Sequence, residues 1–120
     1  MCLSKVDKVI KEGTGEGYKV FKKDQSYHLT PQFNGSKRYG CDKWYEDSKK
    51  DDIDNLDMRY PTGFHIFTSL ISARQFRCSY EVIHKVKYED VVASGIQLHC
   101  LKALRIVVAR RMYIFKGDVK

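Results

Sequence analysis

The groups equipped for chemistry in this 120-residue chain are four histidines, four cysteines and a run of arginines and lysines in the second half. His28, His65, His84 and His99 fall in separate stretches, none at the i, i+3 or i+4 spacing that sets two metal ligands on one helical face. Cys2, Cys41, Cys78 and Cys100 include no C-x-x-C pair, so reduced thiols are expected, buried as small apolar groups or incidental, with Cys2 exposed. Cys78 or Cys100 carried beside a distant histidine by the fold is the remaining route to a nucleophile. The glycine run "GTGEG" at 13–17 matches neither G-x-G-x-x-G nor a loop ending in Gly-Lys-Ser/Thr, and Glu16 would repel phosphate, so it is expected to be a hinge. No catalytic constellation, metal or cofactor is expected.

His65 has the clearest local setting. In Tyr60-Pro-Thr-Gly-Phe-His-Ile-Phe-Thr-Ser-Leu70 a turn, a strand and a helix start follow one another, which puts the imidazole just ahead of N–H groups that favour an anion. One reading is contact with an anionic ligand, helped by Arg74 and Arg77; the other is a scaffold histidine hydrogen-bonded in the sheet. The strongest cluster is basic, with Lys85 and Lys87 on one predicted strand and Arg105, Arg110 and Arg111 on another. The planar guanidinium matches phosphate oxygens, and Tyr60, Tyr80, Tyr88 and Tyr113 offer rings for a base. A solvated face kept basic for solubility and edge protection is the competing reading. The ligand-binding set expected is His65, Arg74, Arg77, Tyr88, Arg105, Arg110 and Arg111.

The elements that must position these groups follow from periodicity. Residues around Val6, Val9 and Ile10 suit a short helix or an irregular arm; 18–23 predicts a strand and 26–30 its hairpin partner. Residues 31–59, rich in charge and turn pairs, predict a long surface excursion that Trp44-Tyr45 would pin to the body, either a binding loop or a mobile one. Gly63 to Phe67 predicts a strand, with Thr68 or Ser69 capping a helix to about Arg77. In 81–88, Val82, His84, Val86 and Tyr88 face one way and Ile83, Lys85 and Lys87 the other. Residues 91–98 predict a short strand with a bulge or close approach at Ser94-Gly95. Residues 101–115 predict a long or bent strand, with helix the rival over 100–111. Leu104, Ile106, Val108 and Met112 lie on one face of that strand; Arg105, Val107, Ala109, Arg111 and Tyr113 lie on the other.

These elements add up to an α+β fold, one domain over 1–120 with a mostly antiparallel or mixed sheet of about five or six strands and a helix packed on one face. A hydrophobic content of 42% fits one modest core. The net charge of +7 is uneven: residues 1–60 hold 12 Lys/Arg against 11 Asp/Glu, and residues 61–120 hold 10 against 4. That excess favours anionic partners without choosing among them. No apolar run reaches the roughly 20 residues of a membrane span. The charged "MCLSKVDKVI" is unlike a signal peptide, so a cytoplasmic protein without a membrane partner is expected.

The pattern "MCLSKVDKVI…GYKVFKK", "YPTGFHIFTSLISA" and "VVASGIQ…LRIVVARRMYIF" resembles small uncharacterised proteins of tailed phages and prophages, over most of the chain except 31–59. That family has no assigned chemistry and transfers no catalytic residue. The resemblance implies the host cytoplasm and a counter-defence role. The expected activity is sequestration of a nucleotide-derived host immune signal without cleavage, by a homo-oligomer using arginine forks, stacked rings and a loop lid. The alternative is an inhibitor that binds nucleic acid or an acidic host protein through the basic face.

Overall fold

Strand formers alternate with polar residues through much of the chain, and sheet is the result. The computed structural model describes residues 3, 5–6, 13–23, 29–31, 39–47, 52–55, 58–61, 63–78, 81–117 and 119. In chain order they form β1 (Lys5–Val6), β2 (Thr14–Lys23), β3 (Leu29–Pro31), β4 (Trp44–Glu46), β5 (Asp52–Asn55), β6 (Met58–Pro61), β7 (Phe64–Phe67), α1 (Leu70–Phe76), β8 (Glu81–His99) and β9 (Lys102–Ile114). β5 and β6 pair with each other; the remaining strands make one seven-stranded antiparallel sheet. The α+β expectation therefore holds in coarse form, with one seven-residue helix among the described residues.

The long β8–β9 hairpin is the spine. β8 pairs with β2 over 81–89 and with β9 over 86–99; β7 pairs with β9 along its whole length and meets β2 where Tyr18 faces Phe67. The strands β8, β2, β7 and β9 thus close a hydrogen-bonded circuit, which demands a sharp bend. Asp90, with φ 57°, and a register shift between Val91 and Ala93 supply it. At this bend side chains three apart, Tyr88 and Val91 on β8 and Ala109 and Met112 on β9, meet one apolar cluster.

Two clusters fill the interior. One gathers Val20, Phe67, Ile83, Ile106 and Val108 under Ala73 and Phe76 of α1; the other gathers Phe21, Ile66, Val86, Tyr88, Met112 and Ile114. Ser69 caps α1, its Oγ accepting the Ser72 N–H at 3.2 Å, and the helix ends at Arg77.

Several sequence expectations need correction. The glycine run is no hinge: Gly15 and Gly17 lie inside β2, where a Cβ on Gly15 would meet the Tyr88 hydroxyl at 2.7 Å and one on Gly17 the Phe67 carbonyl at 2.5 Å. The irregularity expected at Ser94-Gly95 falls earlier, and β1 pairs with β8 at Gly95 and Ile96. Residues 102–114 are strand, which removes the helical rival there, and Met112 packs with Val107 and Ala109 instead of with Leu104 and Ile106. The excursion supplies β4, an edge strand on β9. Residues 4, 7–10, 24–28, 32–38, 48–51, 56 and 57 lie outside the described residues, and with them most of the expected N-terminal helix or arm.

Candidate ligand-binding face

Antiparallel register sorts the exposed residues of four strands into rows. Trp44 of β4, Tyr113 of β9, Lys87 of β8 and Glu16 of β2 stand side by side; one row on come Glu46, Arg111, Glu89 and Thr14. Cross-strand partners share a face, so these eight side chains form one outward surface about 15 Å across, at the usual strand spacing. Its base is the second apolar cluster, whose Val86, Tyr88, Met112 and Ile114 point the opposite way from the same strands.

The centre is aromatic. Trp44 keeps 38% of its surface exposed, which is high for the residue with the largest apolar area. Its ring lies 5.6 Å from that of Tyr113, and the Arg111 guanidinium sits 4.9 Å over it. Tyr113 in turn meets Phe115 at 5.2 Å and donates weakly to Asp42 at 3.4 Å. Arg111 is oriented by Glu89 at 2.6 Å, and Lys85 pairs with Glu16 at 2.8 Å. The hydrogen bond and charge of Lys85 hold the Glu16 carboxyl below its ordinary range, and Glu16 raises Lys85 in return. Exposed pairs of this kind contribute little and are screened by salt, so the cations can turn to a phosphate, while Glu16, Glu46 and Glu89 stay on the face and oppose its charge.

The seven expected ligand residues do not converge. His65 is buried, 7% exposed, and its neighbour in β9 is Val108; burial first, and then the charge of Lys19, hold its imidazole neutral, down to about 3. Lys19 is itself buried and donates from Nζ to the His65 carbonyl at 2.8 Å; burial pulls it down to about 8. Arg74 and Arg77 are exposed on and just after α1, and Arg105 is exposed six residues before Arg111 on the same strand, on the order of 20 Å away. Tyr88 is 2% exposed and points inward, away from Arg111. Arg110 and Arg111 are half-buried neighbours at the bend. Of the expected rings, Tyr113 is on the outer face; Tyr80 lies outside the described residues.

Trp44 was legible in the sequence only as a pin for the excursion. Tyr45 does that work, half-buried against Tyr39 at 4.7 Å, while its neighbour on the strand turns outward.

The thiols and imidazoles do not assemble into a nucleophile pair among the described residues. His84 Nδ1 lies 2.9 Å from the Phe115 carbonyl, which can only accept, so that nitrogen carries the proton and offers no lone pair to Cys41 Sγ at 4.0 Å. Cys78 and Cys100 are exposed, and a hydrogen bond to Glu81 raises the Cys78 thiol. No group of three or more His, Cys, Asp or Glu able to hold a metal occurs among the described residues. Searches of family models, curated proteins and solved structures return no match for the chain, so the site stands on its own geometry.

Proposed function

We propose that this chain is a non-enzymatic binding protein whose outer β2–β8–β9–β4 face holds a ligand carrying bases and phosphates, single-stranded nucleic acid first. The observation that carries this reading is the exposed Trp44 ring in contact with the Arg111 guanidinium and Tyr113 of the neighbouring strand on an open sheet. A base stacks on the indole; Arg111, Lys85 and Lys87 take the flanking phosphates. The face is open and four strands wide, which suits an extended strand.

A narrower form has its own support. Trp44, Arg111 and Tyr113 group one exposed ring with one cation, the two elements that would hold a single nucleotide-derived signal without cleaving it. The phage-like sequence motifs supply the setting we propose for it, counter-defence in the host cytoplasm.

Binding of labelled oligothymidylate and of a panel of cyclic nucleotides and cyclic ADP-ribose isomers separates the two. The strand reading expects affinity that grows with oligonucleotide length, with a log–log salt slope of about −2 for three phosphate contacts. Trp44→Ala should weaken it roughly ten-fold or more, the range of one stacked base. The signal reading expects one mononucleotide to raise the melting temperature and to be recovered unchanged on heating. Failure of both ligand classes to bind, or binding indifferent to Trp44→Ala, overturns the site.

A further inference from the structure

The far end of the β8–β9 hairpin is a separate surface. Along β8 the pairs with β1 extend no further toward the tip than Ile96, and the last pair between β7 and β9 is Phe67 with Ile106. Beyond these pairs, among the described residues, β8 and β9 pair only with each other: Gln97 with Leu104, Leu98 with Ala103, His99 with Lys102. The ribbon is closed by Cys100 and Leu101, whose φ values of 49° and 65° are those of the tight two-residue hairpin turn. Asn-Gly makes that turn without steric cost; a leucine there is strained.

The Leu101 side chain is fully exposed, at 103%, and Leu98 is 64% exposed. One face of the ribbon carries Leu98 beside Ala103, and behind them, in one row across three strands, Lys5, Ile96 and Arg105. Lys102 adjoins the turn, and the sequence holds no Asp or Glu from Val91 through Phe115. The opposite face is occupied, with the His99 ring packed on Phe76 at 4.9 Å.

We infer that this tip docks on an anionic lipid surface, with Leu98 and Leu101 entering the boundary between headgroups and acyl chains. Lys5 and Arg105 sit two residues behind Leu98, about 7 Å, which matches the depth to which interfacial apolar groups sink while cations stay among the headgroups. A convex tip of two leucines finds no complementary pocket to require of a bilayer, as it would of a protein partner. The expectation drawn from the sequence, that no membrane partner exists, rested on the lack of a spanning run; a docking tip needs none.

Flotation of the full chain with vesicles tests this. Vesicles of equimolar phosphatidylcholine and phosphatidylglycerol should carry the protein, and pure phosphatidylcholine vesicles should not. Lys102→Glu and Arg105→Glu should each weaken the association about five-fold or more. The double variant Cys100→Asn, Leu101→Gly installs the preferred turn, so it should melt higher than the parent yet lose vesicle binding about ten-fold. Gain in melting temperature with loss of flotation cannot come from a damaged fold. The inference is overturned if the parent ignores anionic vesicles, including the case in which the tip instead captures an acidic protein, or if the double variant floats as well as the parent. Oligonucleotide binding on the Trp44 face is read in parallel and should be unchanged by these substitutions, which keeps the two proposals separable.

Discussion

The two halves of the β8–β9 hairpin have the same local structure and opposite surroundings. Near its base, residues 81–91 and 109–114 are flanked by β2 and β4, their inner side chains fill a cluster, and their outer charges pair, Lys85 with Glu16 and Arg111 with Glu89. Near its tip, residues 97–104 have no flanking strand among the described residues, and Leu98 and Leu101 are exposed. Both halves are built of strand-forming sequence. What a β-strand side chain contributes is therefore set by its neighbours across the sheet, which lie far away in sequence.

The largest test of that contrast is the loss of buried volume. Met112, fully buried in the base half, should cost about 3 kcal/mol of stability on Met112→Ala, the ordinary toll of a core truncation. Leu98→Ala at the tip should change stability by less than about 0.5 kcal/mol, as exposed substitutions do. Urea denaturation of both variants decides it; a costly Leu98→Ala would mean that the tip is part of the core.

Acid should act where the halves meet, because β7 pairs with β9 across the bend. His65 has a folded pKa lowered from 6.5 to about 3, so between those values the unfolded chain binds a proton that the folded one refuses. Stability is complete above pH 6.5 and falls as pH drops toward 3, by roughly 3 kcal/mol at pH 4. His65→Leu should flatten that part of the curve. If the slope persists unaltered in the variant, some other group is responsible.

Lys19 is the buried counterpart of the solvated Lys102. Its folded pKa is lowered from 10.5 to about 8, so below pH 8 both states are protonated and the whole desolvation cost is present. Between 8 and 10.5 the folded state sheds its proton first and stability rises. Lys19→Met should gain about 1–2 kcal/mol at pH 7 after losing the hydrogen bond to the His65 carbonyl, and the advantage should shrink as pH climbs through that window. Lys102→Met should do nothing comparable. Equal effects of the two substitutions, measured by thermal melts across pH, would erase the distinction between the halves.

Local signals made much of the fold legible in the sequence. The alternation of 81–88 placed Val82, His84, Val86 and Tyr88 on one face as found, though Ile83, expected beside Lys85 and Lys87 on the other face, is fully buried in the first cluster; the serine cap and the length of α1 followed from Thr68-Ser69 and the residues after them. Close approach was not legible: Gly15 and Gly17 look like a hinge until Tyr88 and Phe67, some 50 to 73 residues on, are set against them. The circuit through β7 hid the burial of His65 in the same way, since a strand that pairs on both edges and packs on both faces carries no alternation to read. The site suffered most. Arg111 and Tyr113 were visible as chemistry, but Trp44 reaches them only because β4 adds to the edge of β9, a pairing across 69 residues that no local pattern records.

The smallest effect concerns the joint itself. Asp90 holds φ at 57°, a conformation that glycine adopts freely, aspartate tolerates and β-branched residues resist. Asp90→Gly exchanges relief of that strain for greater freedom of the unfolded chain, so the two terms nearly cancel and stability should move by less than about 0.5 kcal/mol. Asp90→Val keeps the unfolded chain stiff but puts two Cγ atoms into the left-handed region, and should cost about 1–2 kcal/mol. If valine is as silent as glycine, the strand does not bend through this backbone angle, and the register shift at Val91/Ala93 alone must separate the paired base of the hairpin from its bare tip.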